Sequence, residues 1–164
     1  MSDALGLYMA TYFWNVGTEG LFWWGCGMFT GLFTGLTFWQ RFAVGREKKP
    51  IYVGGSVAYL CFFCLPYGMK VAGWWPGEGS PLYFPLYVLT TGFLAHFASA
   101  AATVMGGSML GDVTDLDESR QGRRREGVIF GAESFGWKAL VGIGSLIAGF
   151  TVDAVGLAPG TPTE

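Results

Sequence analysis

The chain has 164 residues, of which 51% are hydrophobic and 17% aromatic, whereas only 13% are charged, and its mean hydropathy is +0.39. Soluble domains carry about 25% charged residues, so a soluble domain of this composition would need an implausibly large core. The composition therefore predicts an all-α integral membrane protein. The net charge of −2 indicates no class of partner, and we expect no nucleic-acid partner.

Cysteine usage gives no sign of metal or redox chemistry. Cys26, Cys61 and Cys64 all lie inside apolar runs, and no second cysteine pair or histidine cluster accompanies the CxxC spacing of the last two. We expect them to be small buried hydrophobic side chains, and we predict no metal site, cofactor or catalytic residue. Residues 1–18 lack the basic leader and small-residue cleavage site of a signal peptide.

Five uncharged segments follow one another along the chain. Residues 4–18 are too short to cross a bilayer and predict the end of a helix, which Asn15, Gly17 and Gly20 then break. The other four segments match the length of a membrane helix and are predicted as complete spans: residues 21–40, 51–69, 82–111 and 127–152.

Glycine spacing within the first complete span predicts close helix packing. Gly27, Gly31 and Gly35 recur every four residues and therefore share one helix face. Such a small-residue ridge lets another backbone approach closely, which we favour over a ligand site.

Charged residues set the predicted orientation. Eight of the ten lysines and arginines fall in residues 41–50 and 112–126, which two predicted helices separate. Both segments must lie on one side, and the positive-inside rule makes that side cytoplasmic. We expect residues 112–126 to form a charged loop. Since acidic residues contribute little to orientation, the acids beside its arginines indicate ion pairs that tie helix ends together.

Two ionisable residues fall inside predicted spans. Lys138 would lie roughly 16 Å from the start of a helix that begins at Gly127, near the bilayer midplane. An ammonium at that depth costs roughly 2.5 to 3.5 kcal/mol, so a functional role is favoured over packing. His96 leaves two interpretations open: a neutral histidine hydrogen-bonded within the bundle, or a proton or substrate contact.

The motifs GDVTDLDESRQGRRREG and VIFGAESFGWK closely resemble the loop and next helix of the glycoside-pentoside-hexuronide:cation symporter family, the melibiose permease branch of the major facilitator superfamily. TYFWNVGTEG and FWQRFAVGREKKP resemble the same family earlier in the chain. The resemblance implies the end of helix seven in residues 4–18 and helices eight to eleven in the four complete spans. Because the family has twelve helices in two halves, the chain resembles a C-terminal-half fragment.

The resemblance also implies site residues on the last span. Lys138 falls where the family has a lysine that faces the central cavity and the carboxylates of the cation site, and Glu133 replaces a glutamine near the sugar. Ser134 and Trp137 complete the implied site for solute and ion coupling. Glu133 and Lys138 lie about 140° apart around a helix, so we expect no direct pair.

A second implied site closes the cytoplasmic side. Asp112, Asp115 and Arg124 align with the family's charged residues that help to close that side, and they form the predicted cytoplasmic gate.

The implied function is cation-coupled symport of a sugar, a glycoside or a related solute by alternating access in the inner or plasma membrane. The coupling cation, Na⁺, H⁺ or Li⁺, would bind mainly in the missing N-terminal half, which is the expected partner together with the lipid bilayer and the solute. Two alternatives stay open: a carrier of lipids or other solutes from the same superfamily, or a four-helix membrane scaffold without transport activity. No enzyme is expected, because the spans hold one histidine and no clustered carboxylates.

Overall fold

The computed structural model describes residues 6, 9–123 and 125–154, with the side chains of residues 152 and 154 excepted. The described part is helical throughout, apart from turns, and contains no strand, which confirms the predicted all-α class. After a π-helical turn at Met9–Phe13, the long helices are α1 (Thr18–Phe42), α2 (Lys48–Val71), α3 (Tyr83–Gln121) and α4 (Glu126–Ala154).

Within the described residues, α2 and α3 are long and apolar enough to cross a membrane by length and composition alone. Helix α1 has no charged residue between Leu21 and Gln40, but its glycines, threonines and tryptophans have low hydropathy. The predicted count of four complete membrane helices therefore stays a prediction.

The chain divides into two compact units. One unit runs from Gly17 to Leu116 and contains α1, α2 and most of α3. The other contains the described residues up to Val16 and those from Asp117 onward, including α4.

Glycines bring α1 and α3 together inside the first unit. A Cβ atom added at Gly31 would overlap the carbonyl oxygen of Phe93, and one at Gly35 would lie 2.7 Å from the carbonyl oxygen of Phe97. Both glycines are buried. The glycine ridge therefore serves helix packing, as predicted, because only a residue without Cβ leaves space for the α3 backbone.

Helix α2 packs along α3 in the opposite direction. Gly55 is buried against Ala98 and Ala101, and a Cβ added there would lie 3.0 Å from the carbonyl oxygen of Ala98. Nearer the start of α2, Lys48 contacts Asp112. Small residues on both helices thus form the packing surface in place of large side chains.

Cys61 and Cys64 are exposed, contrary to the burial that we expected.

Helix α3 contains a π-helical segment, Val88–Leu94, between two α-helical parts, Tyr83–Tyr87 and Ala95–Gln121. In a π segment the backbone hydrogen bonds join residues five apart, so the carbonyl groups no longer bond the donors of a regular α-helix. Two side chains of the segment donate hydrogen bonds to carbonyl groups just before it. The Thr90 and Thr91 hydroxyls donate to the carbonyl oxygens of Leu86 and Tyr87, each at 2.7 Å.

The charged segment at residues 112–126 is not one loop, which corrects the prediction. Helix α3 continues to Gln121, since the residues from Asp112 to Gln121 include neither proline nor glycine. Gly122 ends the helix with φ at 64°, a left-handed conformation that glycine adopts without steric cost. Its N–H donates to the carbonyl oxygen of Glu118 at 2.9 Å. The connection to α4 is therefore confined to residues 122–125.

The start of the described chain differs from the prediction at one of three positions. Asn15 has φ at 51° and interrupts the helical backbone after Phe13, and Gly17 precedes α1 in an extended conformation. Gly20, by contrast, lies inside α1. Glu19 in the first turn interacts favourably with the positive end of the helix dipole, which favours a helix start before Gly20.

Gly31→Ala tests the glycine contact. The added methyl group would overlap the Phe93 carbonyl, so we expect overpacking to destabilise the chain by about 1 to 3 kcal/mol. The measurement is the thermal unfolding midpoint of the purified chain in detergent, followed by tryptophan fluorescence. Gly25→Ala on the same helix is the matched control, because a Cβ there would meet no atom within 4 Å. Equal midpoints for the two variants would contradict the packing role.

Candidate functional site

The residues that the resemblance implies for solute and ion coupling share one broad face of α4. At 100° per residue, Glu133, Trp137, Ser134 and Lys138 cover an arc of about 140°. All four side chains are exposed, so neighbouring side chains of the described residues leave this face uncovered. The Ser134 hydroxyl donates to a carboxylate oxygen of Glu133 at 3.5 Å. The face therefore offers a hydroxyl, a carboxylate, an ammonium and an indole to a ligand.

Lys138 forms no ion pair with any residue that the structure describes. It lies about 18 Å along α4 from Glu126, counted at 1.5 Å per residue. Glu133 is not its partner, consistent with their angular separation. A cation in this position can bind a carboxylate or compete with another cation for one.

Two ion pairs lie at the charged end of α3. Within the first unit, the Lys48 ammonium donates to a carboxylate oxygen of Asp112 and joins the first turn of α2 to α3. The Lys48 and Asp112 side chains are 35% and 62% exposed, so water screens the pair. Exposed pairs of this kind contribute roughly 0 to 1 kcal/mol each.

The second pair lies within the other unit and is bidentate. Arg125 donates from Nε and Nη2 to the two carboxylate oxygens of Asp117, both at 3.0 Å. This pair bridges the polar end of α3 and the residue before α4. The hydrogen bond from Arg125 lowers the pKa of the Asp117 carboxyl, which lies beyond the apolar part of α3.

The other gate residues are placed differently. Asp115 is exposed and forms no ion pair with a described residue, and Arg124 lies outside the described residues. The expected ion pairing at helix ends is thus present at Asp112. The predicted gate residues did not include Lys48, which is the partner of Asp112, or the Asp117–Arg125 pair.

A polar and aromatic cluster surrounds the π segment of α3. The Trp24 indole N–H donates to the Thr91 hydroxyl at 3.0 Å, and Thr91 is fully buried. The His96 ring lies edge-on to the Trp24 and Tyr59 rings, with centroids 5.9 and 6.3 Å away. The three helices of the first unit thus meet at His96.

The carbonyl oxygens next to the His96 ring determine which ring nitrogen carries a proton. Its Nδ1 lies 2.8 Å from the carbonyl oxygen of Gly92 and 3.2 Å from that of Thr91. Carbonyl oxygens only accept, so Nδ1 carries the proton and, in the neutral ring, Nε2 is the acceptor. This geometry is that of a histidine hydrogen-bonded within the bundle.

A second cluster lies at the last turn of α2, at the opposite end of that helix from Lys48. The Lys70 ammonium lies 2.6 Å from the Tyr83 hydroxyl and 3.4 Å from a carboxylate oxygen of Glu78. We did not predict these contacts. The sequence did contain one signal: a polar turn lies between Trp74 and Pro81. A turn this short keeps the residues that follow it close to Lys70 at the end of α2.

Comparisons with known proteins assign the class. Residues 1–164 match the family described as MFS/sugar transport protein. A protein of Synechocystis sp. (strain ATCC 27184 / PCC 6803 / Kazusa), named as an uncharacterized symporter, is 32% identical over 132 residues, 79% of this chain and 22% of that protein. No solved structure matches the chain.

Together with the apolar helices, this match defines a membrane protein of the major facilitator superfamily. Within that superfamily the chain belongs to the MFS/sugar transport protein family, and the predicted resemblance is confirmed. The family is one of transporters and not of enzymes. The chain spans about a fifth of the length of the curated relative that it matches.

Asp117→Asn tests the bidentate pair through its pH dependence. Since the folded pKa of Asp117 lies below its unfolded value of about 3.9, the pair contributes stability that is fully present above the unfolded pKa. That stability is lost as the pH falls through the folded pKa. We expect Asp117→Asn to lower the thermal midpoint at pH 6 and to match the parent at the lowest pH at which the chain folds.

Arg123→Gln serves as the control because Arg123 is exposed and pairs with no described carboxylate. It should leave the midpoint unchanged at pH 6. A loss in Asp117→Asn that persists undiminished at acid pH would show that the effect does not come from the charged carboxylate.

Proposed function

We propose that this chain forms part of a secondary active transporter that couples uptake of a sugar, glycoside or related solute to a cation gradient. The observation that carries the proposal is the ammonium of Lys138, which lies within α4 without an ion-pair partner among the described residues. The family match and the relative named as a symporter support the same function.

The energetic cost of Lys138 explains why a role in coupling is favoured. A lysine at the centre of a spanning helix costs roughly 2.5 to 3.5 kcal/mol, which a methionine or leucine there would avoid. Carboxylates in the other half of the transporter would stabilise the ammonium when the cation site is empty. Cation binding at the same carboxylates would release the ammonium, so occupancy of the ion site would bias the conformational equilibrium.

The other side chains of the α4 face suit a hydroxylated solute. Glu133 can accept hydrogen bonds from sugar hydroxyls, and Ser134 can both donate and accept. Trp137 adds a flat apolar surface with an N–H donor, the combination that amphipathic rings provide at binding sites. Because Glu133 and Ser134 already contact each other, a solute would exchange that weak contact for its own hydrogen bonds.

The charged end of α3 would act as a cytoplasmic gate. Asp112 and Asp115, with Arg124 from the next connection, would pair with partners when that side is closed and separate when it opens. Alternating access requires two states that differ by only a few kcal/mol. Exposed pairs such as Lys48–Asp112 contribute energies of that order when several act together.

The proposed partners follow from this mechanism. A second half of the transporter would supply the remaining helices and the carboxylates for Na⁺, H⁺ or Li⁺, since the curated relative is several times longer than this chain. The bilayer would be the inner or plasma membrane, with residues 41–50 and the charged end of α3 facing the cytoplasm.

Lys138→Met in the complete transporter tests the coupling role. The substitution removes a charge and conserves much of the side-chain volume, so insertion and abundance should hold or improve. Gradient-driven accumulation of solute in vesicles should fall at least about tenfold, whereas equilibrium solute binding in the same vesicles should partly survive because Glu133 and Ser134 remain.

Lys49→Met is the matched control, because it makes the same chemical change at an exposed position in the first turn of α2, before the uncharged run of residues 51–69. It should leave accumulation unchanged. Normal accumulation by Lys138→Met, or loss of inserted protein, would indicate that Lys138 has a structural role and does not couple ion to solute.

The proposed orientation is tested with single cysteines at Gly79 and Gln121, both exposed, in a background that lacks the three native cysteines. An impermeant thiol reagent added to intact cells should label Gly79→Cys and leave Gln121→Cys unlabelled until the cells are opened. The reverse pattern would invert the orientation.

A further inference from the structure

An open groove lies beside the last two turns of α1. Thr37, Phe38, Arg41 and Phe42 line it, and its volume is about 480 Å³, within the range of roughly 300 to 1,000 Å³ typical of small-molecule sites. The Phe38 and Phe42 rings stack with centroids 5.6 Å apart and planes 15° apart. The guanidinium carbon of Arg46 lies 3.8 Å from the centroid of the Phe42 ring. The groove thus combines an aromatic wall with the Arg41 guanidinium, and the Arg46 guanidinium stacks on the Phe42 ring of that wall.

No ion pair among the described residues balances the charge of these guanidinium groups. Lys48 in the same segment pairs with Asp112, whereas neither Arg41 nor Arg46 forms an ion pair with any described residue. Glu47, the acidic residue of residues 41–50, likewise forms none within the described part. The groove therefore presents uncompensated positive charge, which is complementary to an anion.

The position of the groove indicates what kind of anion fits. The uncharged part of α1 ends at Gln40, and Thr37 to Phe42 cover about 7.5 Å along the helix. With α1 spanning the bilayer as predicted, the groove would extend from the hydrocarbon into the headgroups, since the polar layer of each leaflet is roughly 5 to 7 Å thick. A ligand with an apolar chain and an anionic head would place the chain on Phe38 and the head beside Arg41.

We infer that this groove binds an anionic phospholipid, with its headgroup phosphate between Arg41 and Arg46 and its first acyl carbons against Phe38 and Phe42. Guanidinium groups bind phosphate oxygens in bidentate geometry, and aromatic rings at this depth contact both acyl chains and headgroups. Anionic lipids are concentrated in the cytoplasmic leaflet, the side that we propose for this end of α1. The inference does not depend on which solute is transported.

The test is native mass spectrometry of the purified 164-residue chain in a neutral detergent at low ionic strength. Phosphatidylglycerol, phosphatidylcholine and inorganic phosphate are titrated separately, and the affinity of the first bound molecule is compared. We expect phosphatidylglycerol to bind about tenfold more tightly than phosphatidylcholine. The R41Q/R46Q variant should lose about 25-fold in affinity for phosphatidylglycerol, since each basic residue near an anionic headgroup contributes a factor of about five.

R120Q/R123Q is the matched control, because it removes two positive charges at exposed positions of the other unit. It should keep the phosphatidylglycerol affinity of the parent chain. Circular dichroism checks that each variant is folded, and the single R41Q variant carries the test if R41Q/R46Q does not fold. Equal losses in both double variants, equal affinity for the two lipids, or phosphate binding as tight as lipid binding would each overturn the inference.

Discussion

Close contact between the backbones of α1 and α3 determines the arrangement of the first unit. Gly31 and Gly35 leave no side chain between the helices, so the carbonyl groups of Phe93 and Phe97 lie directly against α1. At this distance the Trp39 indole N–H reaches the carbonyl oxygen of Phe97 at 2.9 Å. A methyl group on either glycine would push the helices apart and break these polar contacts. Small residues therefore determine which hydrogen bonds can form between the helices.

The π segment of α3 lies at this contact and changes the hydrogen bonding of its backbone. Within a bilayer an unsatisfied carbonyl costs several kcal/mol, so a distorted helix needs other donors. The Thr91 hydroxyl and the His96 ring supply them by donating to the carbonyl oxygens of Tyr87 and Gly92. The Trp24 indole donates to Thr91 in turn. Side chains from two helices thus contribute hydrogen bonds to the π segment.

Apolar runs and glycine spacing predicted the helices and the packing face of α1, because both depend on local periodicity. The sequence did not predict the helical end of α3, since the run from Asp112 to Gln121 is polar enough for a loop and only Gly122 ends the helix. The acids beside the arginines indicated ion pairs, but Asp112 pairs with Lys48, 64 residues earlier in the chain. Such partners depend on tertiary packing. The roles assigned to the α4 face come from family resemblance, and local sequence pattern alone would not have suggested them.

The charged residues of this chain fall into two groups that differ in the free energy of their interactions. Exposed pairs such as Lys48–Asp112 contribute roughly 0 to 1 kcal/mol, so they can form and break as conformations exchange without trapping either one. A lysine at the centre of a spanning helix costs roughly 2.5 to 3.5 kcal/mol, more than any one such pair contributes, and pairing with an anion lowers this cost. In the proposed transporter Lys138 would therefore couple ion occupancy to conformation strongly, whereas the surface pairs would adjust the balance between states. For this reason a change at Lys138 should alter the coupling of transport, and a change at one surface pair should alter only the populations of the states.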